Sequence, residues 1–407
     1  MKRRQEQGAV LLIASNFPPV IGGSARVYAQ LAREADGRIR VLSARRSYVD
    51  GRELSSWQAF DKTQPYLIER LDMLRTPLTR GGEYAWPQKL RLHLGELALR
   101  MRLMATLFRR VYLGPIRSVC IGELVANGWI AQWLRYWPGI RTVIYVHGEE
   151  LTTEDGYDAD GARRRGFLRA ADAVIAVSRF TQQTLHRFAG DDLPVKVISN
   201  GVDFARFSRA ESGHWRGRLG WEGCFVFLSV CRLVEKKGVD HALRAFARIA
   251  RRRPEVRYLV AGQGEDEPRL RDIAEQEGIA DRVVFAGRVE EADLPACYRT
   301  GDVFVMPNRR LPNGDTEGFG LVFLEANAAG LPVIAGRDGG SVDAVRDAYN
   351  GLVVEGASVD AVEAAMLRLL DDAGLRRRLT QNGLRHAHEN DWSHKSREFL
   401  QLCLGET

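Results

Sequence analysis

The chain has 407 residues, more than one hydrophobic core usually holds and about right for two domains. A hydrophobic content of 45% with 27% charged residues excludes long disorder. Five scattered cysteines (120, 224, 231, 297, 403) without metal-ligand spacing exclude a disulfide framework and a zinc site, and fit reduced thiols.

Residues 1–200 carry 30 Lys and Arg against 20 Asp and Glu, and the remainder 29 against 32. The basic first half predicts an anionic partner there: nucleic acid, a membrane surface or a phosphorylated substrate. The opening "MKRRQEQGAVLLIASNFPP" has a basic head, but its apolar run "AVLLIA" is too short for a signal peptide. With no apolar run of spanning length elsewhere, a cytoplasmic protein is expected.

"AVLLIAS" (9–15) reads as a strand, "NFPPVIGG" as a turn, and Ser24 to about Glu34 as a helix. "KLRLHLGELALRMRLMATLFRRVYL" (89–113) carries apolar residues at 90, 94, 97, 101, 104, 108 and 111, with Arg91, Arg102 and Arg109 nearly on one line. That pattern suits a domain helix with solvated arginines, or a basic amphipathic surface resting on anionic lipid. "RIRVLSA", "IRSVCIGE", "RTVIYVHGEE" and "ADAVIAVS" add strands between helical segments. The stretch 201–222 has neither period cleanly and is taken as a linker. Beyond it, "CFVFLSVCRL", "RYLVAGQG", "RVVFAGRV", "GDVFVMP", "LPVIAG" and "GLVV" repeat the alternation, and residues from about 358 are helical. The fold class is α/β, with two Rossmann-like parallel-sheet domains expected at 1–200 and 223–390.

The stretch "DTEGFGLVFLEANAAGLPVIAG" (315–336) holds two glutamates, Glu317 and Glu325, eight positions apart. The loop before it follows a strand's carboxyl end, where open α/β sheets bind ligands, and a helix is expected over about 320–329. Its start offers free N–H groups and a positive dipole end to phosphate, and Gly318 and Gly320 permit close approach. Glu325 stands in a helix apolar almost all round, so its charge needs a partner. Carboxylates accept hydrogen bonds from vicinal hydroxyls, so two glutamates flanking a phosphate seat suit a pyrophosphate-bridged nucleotide sugar. Singly, each glutamate also fits a solvated loop or a polar helix edge. In "SVCRLVEKKG", Arg232 and Lys237 are placed to neutralise a diphosphate, although basic residues there also serve solubility. Gly22 and Gly23 do not form GxGxxG, and His147 closes the strand "TVIYV"; either feature alone is compatible with a structural role.

Taken in order along most of the chain, the "GG" turn, "VHGEE", "VSRFT", "ISNGVD", "RLVEKKG", "VAGQG", "FAGRV" and "EGFGLVFLEANAAGLPVIAG" resemble retaining glycosyltransferases of family 4. The resemblance implies the GT-B architecture, two domains facing across a cleft, with a C-terminal helix (391–407) completing the first domain. It implies that Glu317 contacts the donor hexose, Glu325 the ribose, and Arg232 and Lys237 the diphosphate. Backbone at Gly318, Phe319, Gly320 and Leu321 would cradle phosphate, and backbone at Arg288 and Val289 would meet the base. Gly22 and Gly23 would let the first domain close over the donor, and His147 would face the transferred sugar.

The implied reaction moves a hexose from GDP-mannose or a UDP-hexose to a glycan or lipid-linked acceptor, without metal or other cofactor. The literal "DAD" at 158–160 follows no apolar strand and is expected in solvent rather than on a metal. A nucleotide-sugar epimerase or a phosphorylase on the same architecture is an alternative. A basic nucleic-acid-binding protein is another, although no nucleic-acid module is recognisable.

Overall fold

A computed structural model describes residues 8–20, 22–75, 86–152, 158–209 and 215–406. The basic head 1–7 and residues 210–214 of the expected linker lie outside them. The chain divides into two compact units, one of residues 1–177, 181–198 and 392–407, the other of 178–180 and 199–391.

In the first unit the described residues form seven strands: β1 Ala9–Ile13, β2 Ile39–Ala44, β3 Ile68–Leu71, β4 Ile116–Ile121, β5 Arg141–Val146, β6 Ala173–Ala176 and β7 Val195–Val197. They pair in parallel in the order β3-β2-β1-β4-β5-β6-β7. Central strands such as β1 and β6 are buried at every position, as continuous apolar runs covered by helices on both faces require. The sequence reading missed β3, "IERL", and β7, "VKV". Both are short edge strands with charged residues and no continuous apolar run.

The second unit contributes β8 Phe225–Val230, β9 Val256–Ala261, β10 Val283–Gly287, β11 Val303–Met306, β12 Val333–Gly336 and β13 Gly351–Val354. They pair in the order β10-β9-β8-β11-β12-β13, again parallel. Each sheet therefore winds outward in both directions from its first strand. The reversal falls between β1 and β4 in one unit and between β8 and β11 in the other. Beyond the carboxyl ends of those strand pairs lies the crevice in which such sheets bind ligands.

The expected helix 89–113 spans Trp86–Tyr112, and of the seven-residue stripe read in the sequence Met104 and Val111 pack on the core while most of the rest does not. Leu103, Leu107 and Val111 enter the first unit's core with Val119, Ile121 and Leu134, whereas Leu90, Leu94, Leu97, Met101 and Phe108 are exposed. The two ridges lie roughly 100° apart around the helix. Among the described residues no helix is long and apolar enough to cross a membrane.

The stretch 201–222 is not a free linker. Helices Phe204–Ser208 and Trp215–Leu219 lie within the second unit. Arg206 Nη1 stands 3.2 Å from Glu291, Trp215 Nε1 donates to Asp293 at 3.0 Å, and Arg216 Nη2 pairs with Asp302 at 2.8 Å. These polar anchors act with buried Phe207, packed on Tyr298, and one isolated apolar side chain makes no stripe, which is why the segment shows no period. The last helix, Trp392–Leu404, belongs to the first unit, where Ser396 Oγ donates to the Leu31 carbonyl at 2.9 Å and Arg141 Nε to that of Leu402 at 3.0 Å.

Candidate functional site

In the second unit the chain leaves β8, passes Arg232 and makes a short helical turn at Glu235–Lys237. Gly238 closes the turn in the left-handed region (φ 72°), and a side-chain carbon there would lie 2.0 Å from the Pro307 carbonyl oxygen. The loop after β8 is thus pressed against the loop after β11, with no room for any residue but glycine.

That closeness brings Lys237 onto Glu317. The Lys237 ammonium donates to Glu317 Oε2, and the two side chains are only 14% and 13% exposed. Burial opposes the charge on Lys237, yet the Glu317 carboxylate holds its pKa above the ordinary value. Burial would likewise raise Glu317, and Lys237 holds it below the usual carboxylate value. Exposed Arg232 stands near enough to Lys237 to disfavour its protonation electrostatically.

Several residues that the sequence reading passed over fix this geometry. Buried Lys236 donates to Asp315 Oδ1 at 2.8 Å and to the Thr316 carbonyl at 3.3 Å, clamping the approach to Glu317. The Arg309 N–H donates to the Lys236 carbonyl at 2.9 Å. Its guanidinium grips both oxygens of buried Asp240, at 2.7 and 3.1 Å. Burial would raise the Asp240 pKa, but hydrogen bonds from His241 and Arg309 hold it well below the ordinary value. Beyond β12, Gly340 N–H donates to the Glu317 carbonyl at 2.8 Å. Side-chain carbons at Gly339 and Gly340 would lie 2.2 and 1.9 Å from the carbonyl oxygens of residues 317 and 318.

The expected helix at 320–329 runs Leu321–Ala328, with Gly320 at its start in the left-handed region (φ 85°) and no side chain capping it. Its first N–H groups and dipole therefore face the end of the loop that carries Glu317 and Gly318. Phe319 is buried, and its N–H lies 3.5 Å from Glu317 Oε1. Glu325 finds the partner that its apolar helix demands: Tyr298 Oη donates to Oε2 at 2.8 Å, and the residue is 5% exposed. Arg288 and Val289 follow β10, two strands from β8 in the sheet, with Arg288 exposed and Val289 half-buried. The structure thus gathers Arg232, Lys237, Glu317 and the 318–321 backbone, sets Glu325 inward from them, and leaves 288–289 to one side.

In the first unit, Gly22 is extended (φ 174°) and Gly23 begins the helix Gly23–Arg33, with open space where a side-chain carbon would stand. Asn16 Nδ2 donates to Ser24 Oγ at 2.6 Å across the turn. Glu123, at the end of β4, accepts the N–H groups of Ser15 and Asn16 at 2.8 and 2.6 Å. The sequence reading had no signal for it beyond its place after a glycine at a strand end.

His147 ends β5 with Nε2 2.8 Å from Tyr28 Oη and its ring stacked on Tyr145 at 5.0 Å. Burial pushes its pKa down to about 4. Glu150 folds back to accept the N–H groups of His147 and Gly148, at 3.1 and 2.9 Å, and burial raises its pKa to about 7.

The "DAD" expectation holds for Asp160, which is exposed, but needs correction at Asp158. Asp158 is buried, not in solvent: it accepts the N–H groups of Arg163 and Arg164 at 2.8 and 3.0 Å and pairs with Arg164 Nε at 2.9 Å. It fastens the start of helix Ala162–Arg169, because the first four N–H groups of a helix have no partner within it.

Two family models match the chain, "Glycosyltransferase Family 4" over residues 21–206 and "Glycosyl transferases group 1" over 213–386. Over 391 residues the chain is 29% identical to a GDP-mannose-dependent monoacylated alpha-(1-6)-phosphatidylinositol monomannoside mannosyltransferase of Corynebacterium glutamicum, covering 94% of each. It is 33% identical over 372 residues to the GDP-mannose-dependent alpha-(1-6)-phosphatidylinositol monomannoside mannosyltransferase of Mycobacterium tuberculosis, covering 89% of each. Among solved structures, HepE of Anabaena in complex with UDP and glucose shares the fold with TM-score 0.75 at 19% identity, over 97% of this chain and 99% of that one. Sucrose-phosphate synthase of Thermosynechococcus elongatus does so with TM-score 0.74 at 22%, over 97% and 98%. The two parallel α/β units, the matched family models and the near-full-length relatives lead to one conclusion: the chain belongs to the family 4 glycosyltransferases of GT-B fold.

Proposed function

We propose that this glycosyltransferase moves a hexose, with retention and without a metal ion or other cofactor, from a nucleotide-diphosphate sugar to a lipid-linked or glycan acceptor. GDP-mannose is the first donor to test, because the relatives of Corynebacterium and Mycobacterium are named for it; UDP-hexoses come next. The same names make a phosphatidylinositol mannoside the first acceptor class to test.

The observation that carries the reading is the buried meeting of Lys237 and Glu317 beside an uncapped helix start, at the reversal point between β8 and β11. A nucleoside diphosphate leaving group needs positive charge, and Arg232, Lys237 and the helix dipole supply it without a cation. In the assigned roles, Glu317 orients the hexose, Glu325 the ribose, and backbone at 318–321 the phosphates. Arg288 and Val289 meet the base. In the first unit, His147 is assigned to the transferred sugar and Gly22 and Gly23 to close backbone approach.

Retention follows from front-side attack. The acceptor oxygen bonds to the anomeric carbon on the face from which the phosphate oxygen departs, and the acceptor's proton passes to that oxygen. The deciding experiment is a thermal-shift panel of GDP, UDP, GDP-mannose and UDP-glucose, run in EDTA and in parallel with an added divalent metal. Stabilisation by a nucleotide sugar is expected; stabilisation only with a divalent metal, or none, overturns the reading. Anomeric NMR of the product tests retention.

The exposed ridge of helix Trp86–Tyr112 supports contact between the first unit and anionic lipid. Leu94, Leu97, Met101 and Phe108 stand in solvent beside Arg91, Arg102 and Arg109, and Phe108 packs with Tyr112 and Trp137 at 4.6 and 5.8 Å. An apolar strip flanked by arginines suits the boundary between headgroups and acyl chains. Co-sedimentation with anionic liposomes at low salt is the expected result, weakening as salt rises; no binding at low salt removes the contact.

A further inference from the structure

We infer that Glu317 is a built-in competitor for the diphosphate at Lys237, so that the site holds a nucleotide sugar more readily than the bare nucleoside diphosphate left after transfer. This rests on the donor-site reading above and concerns what the same two residues do when the sugar is absent.

In the structure Lys237's demand for an anion is already met within the protein. Its ammonium donates to the Glu317 carboxylate, both side chains are largely buried, and each holds the other in its charged form. The backbones around the pair are tied together: Gly238 abuts Pro307, Lys236 holds residues 315 and 316, and the Gly340 N–H donates to the Glu317 carbonyl.

An incoming diphosphate must therefore share Lys237 with a carboxylate that stays nearby and repels it, or draw Lys237 off it. A nucleotide sugar compensates that loss, since its hexose hydroxyls donate hydrogen bonds to the freed Glu317. A sugarless diphosphate offers Glu317 nothing and leaves its largely buried charge with only the long Phe319 N–H contact and the more distant Lys236 to offset it. Once the hexose has gone to the acceptor, the carboxylate is free to return to Lys237 and drive the nucleoside diphosphate out. Glu317 thereby separates substrate from product, because it interacts differently with the two.

The test is calorimetric titration of GDP and UDP, without divalent metal, into wild type, Glu317→Gln, Glu317→Ala, Lys237→Met and the Lys237→Met, Glu317→Gln double variant. The expected result is about tenfold tighter binding of the preferred nucleoside diphosphate by both Glu317 variants. Lys237→Met should bind more weakly, and the double variant no tighter than Lys237→Met. The affinity ratio of nucleotide sugar to nucleoside diphosphate should fall in Glu317→Gln, which a merely structural lesion would not produce while tightening the diphosphate. Equal or weaker diphosphate binding by both Glu317 variants, with wild type binding normally, overturns this inference alone. If neither wild type nor any variant binds GDP or UDP, the donor-site reading falls and the inference with it.

Discussion

Lys237 and Glu317 are 80 positions apart in the chain and in contact in the fold. Each could be picked from the sequence by its place after a strand, but their pairing could not, because it depends on how closely two loops pack. Under the proposed mechanism Lys237→Ala should lower turnover by about 10²–10³-fold, the usual loss for one preorganised charge-stabilising donor; near-normal kcat would remove it from catalysis. Glu325→Ala should raise the donor's KM about tenfold with little change in kcat, and an unchanged KM would end the ribose assignment.

The first unit offers a pH test. Glu150's folded pKa of about 7 lies above the ordinary carboxyl value of 4.5, so its contribution to stability is full in acid and is lost as pH rises to 7. His147, lowered from 6.5 to about 4, has the opposite sign: its contribution is full at neutral pH and is lost as pH falls through 6.5 toward 4. Between these limits the two nearly cancel. Glu150→Gln should therefore expose the histidine's slope, about 1.4 kcal/mol of stability lost per pH unit on acidification relative to wild type. Denaturant melts from pH 4 to 7 check it, and parallel profiles for both proteins would contradict it.

At the scale of elements, strands and helices of the core were legible because their apolar periods are set by burial. The central strands match the apolar runs, and "EPRLRDIAEQEG" gives the helix Glu267–Gln276. Elements without a continuous apolar run were not legible: β3, β7 and the two helices in the supposed linker carry no such period, whereas the edge strands β10 and β13, which have one, were read. The turn Arg337–Ser341 belongs with these. Its function is to leave space, and its glycines are readable only once the 317–318 backbone lies against them. Gly340→Ala keeps an ordinary backbone conformation (φ −86°) but drives a methyl into the Gly318 carbonyl, 1.9 Å from its ideal position. It should displace Glu317 and reduce kcat/KM about tenfold or more, with thermal stability lowered by the overpacking cost of about 1–3 kcal/mol. Wild-type kinetics would mean that the loop relaxes without moving the carboxylate.

At the scale of the whole molecule, the C-terminal helix returns to complete the first unit, burying Trp392, Phe399 and Cys403. Phe399→Ala should cost that unit about 3–5 kcal/mol and leave the second unit's unfolding transition unmoved; a shared loss would mean that the units melt as one. By itself the sequence determined the fold class, the strand-to-helix grammar of both halves and the residue types of the proposed diphosphate site. Alternating apolar runs, glycine turns and isolated charges leave a local trace. Only the tertiary structure decided which charges meet: that Lys237 closes on Glu317, that Tyr298 answers Glu325, that Asp158 is a buried helix cap, and that the exposed ridge of helix Trp86–Tyr112 is not its core face. Those outcomes depend on contacts between residues distant in sequence, and no local pattern records the distance at which two loops come to rest.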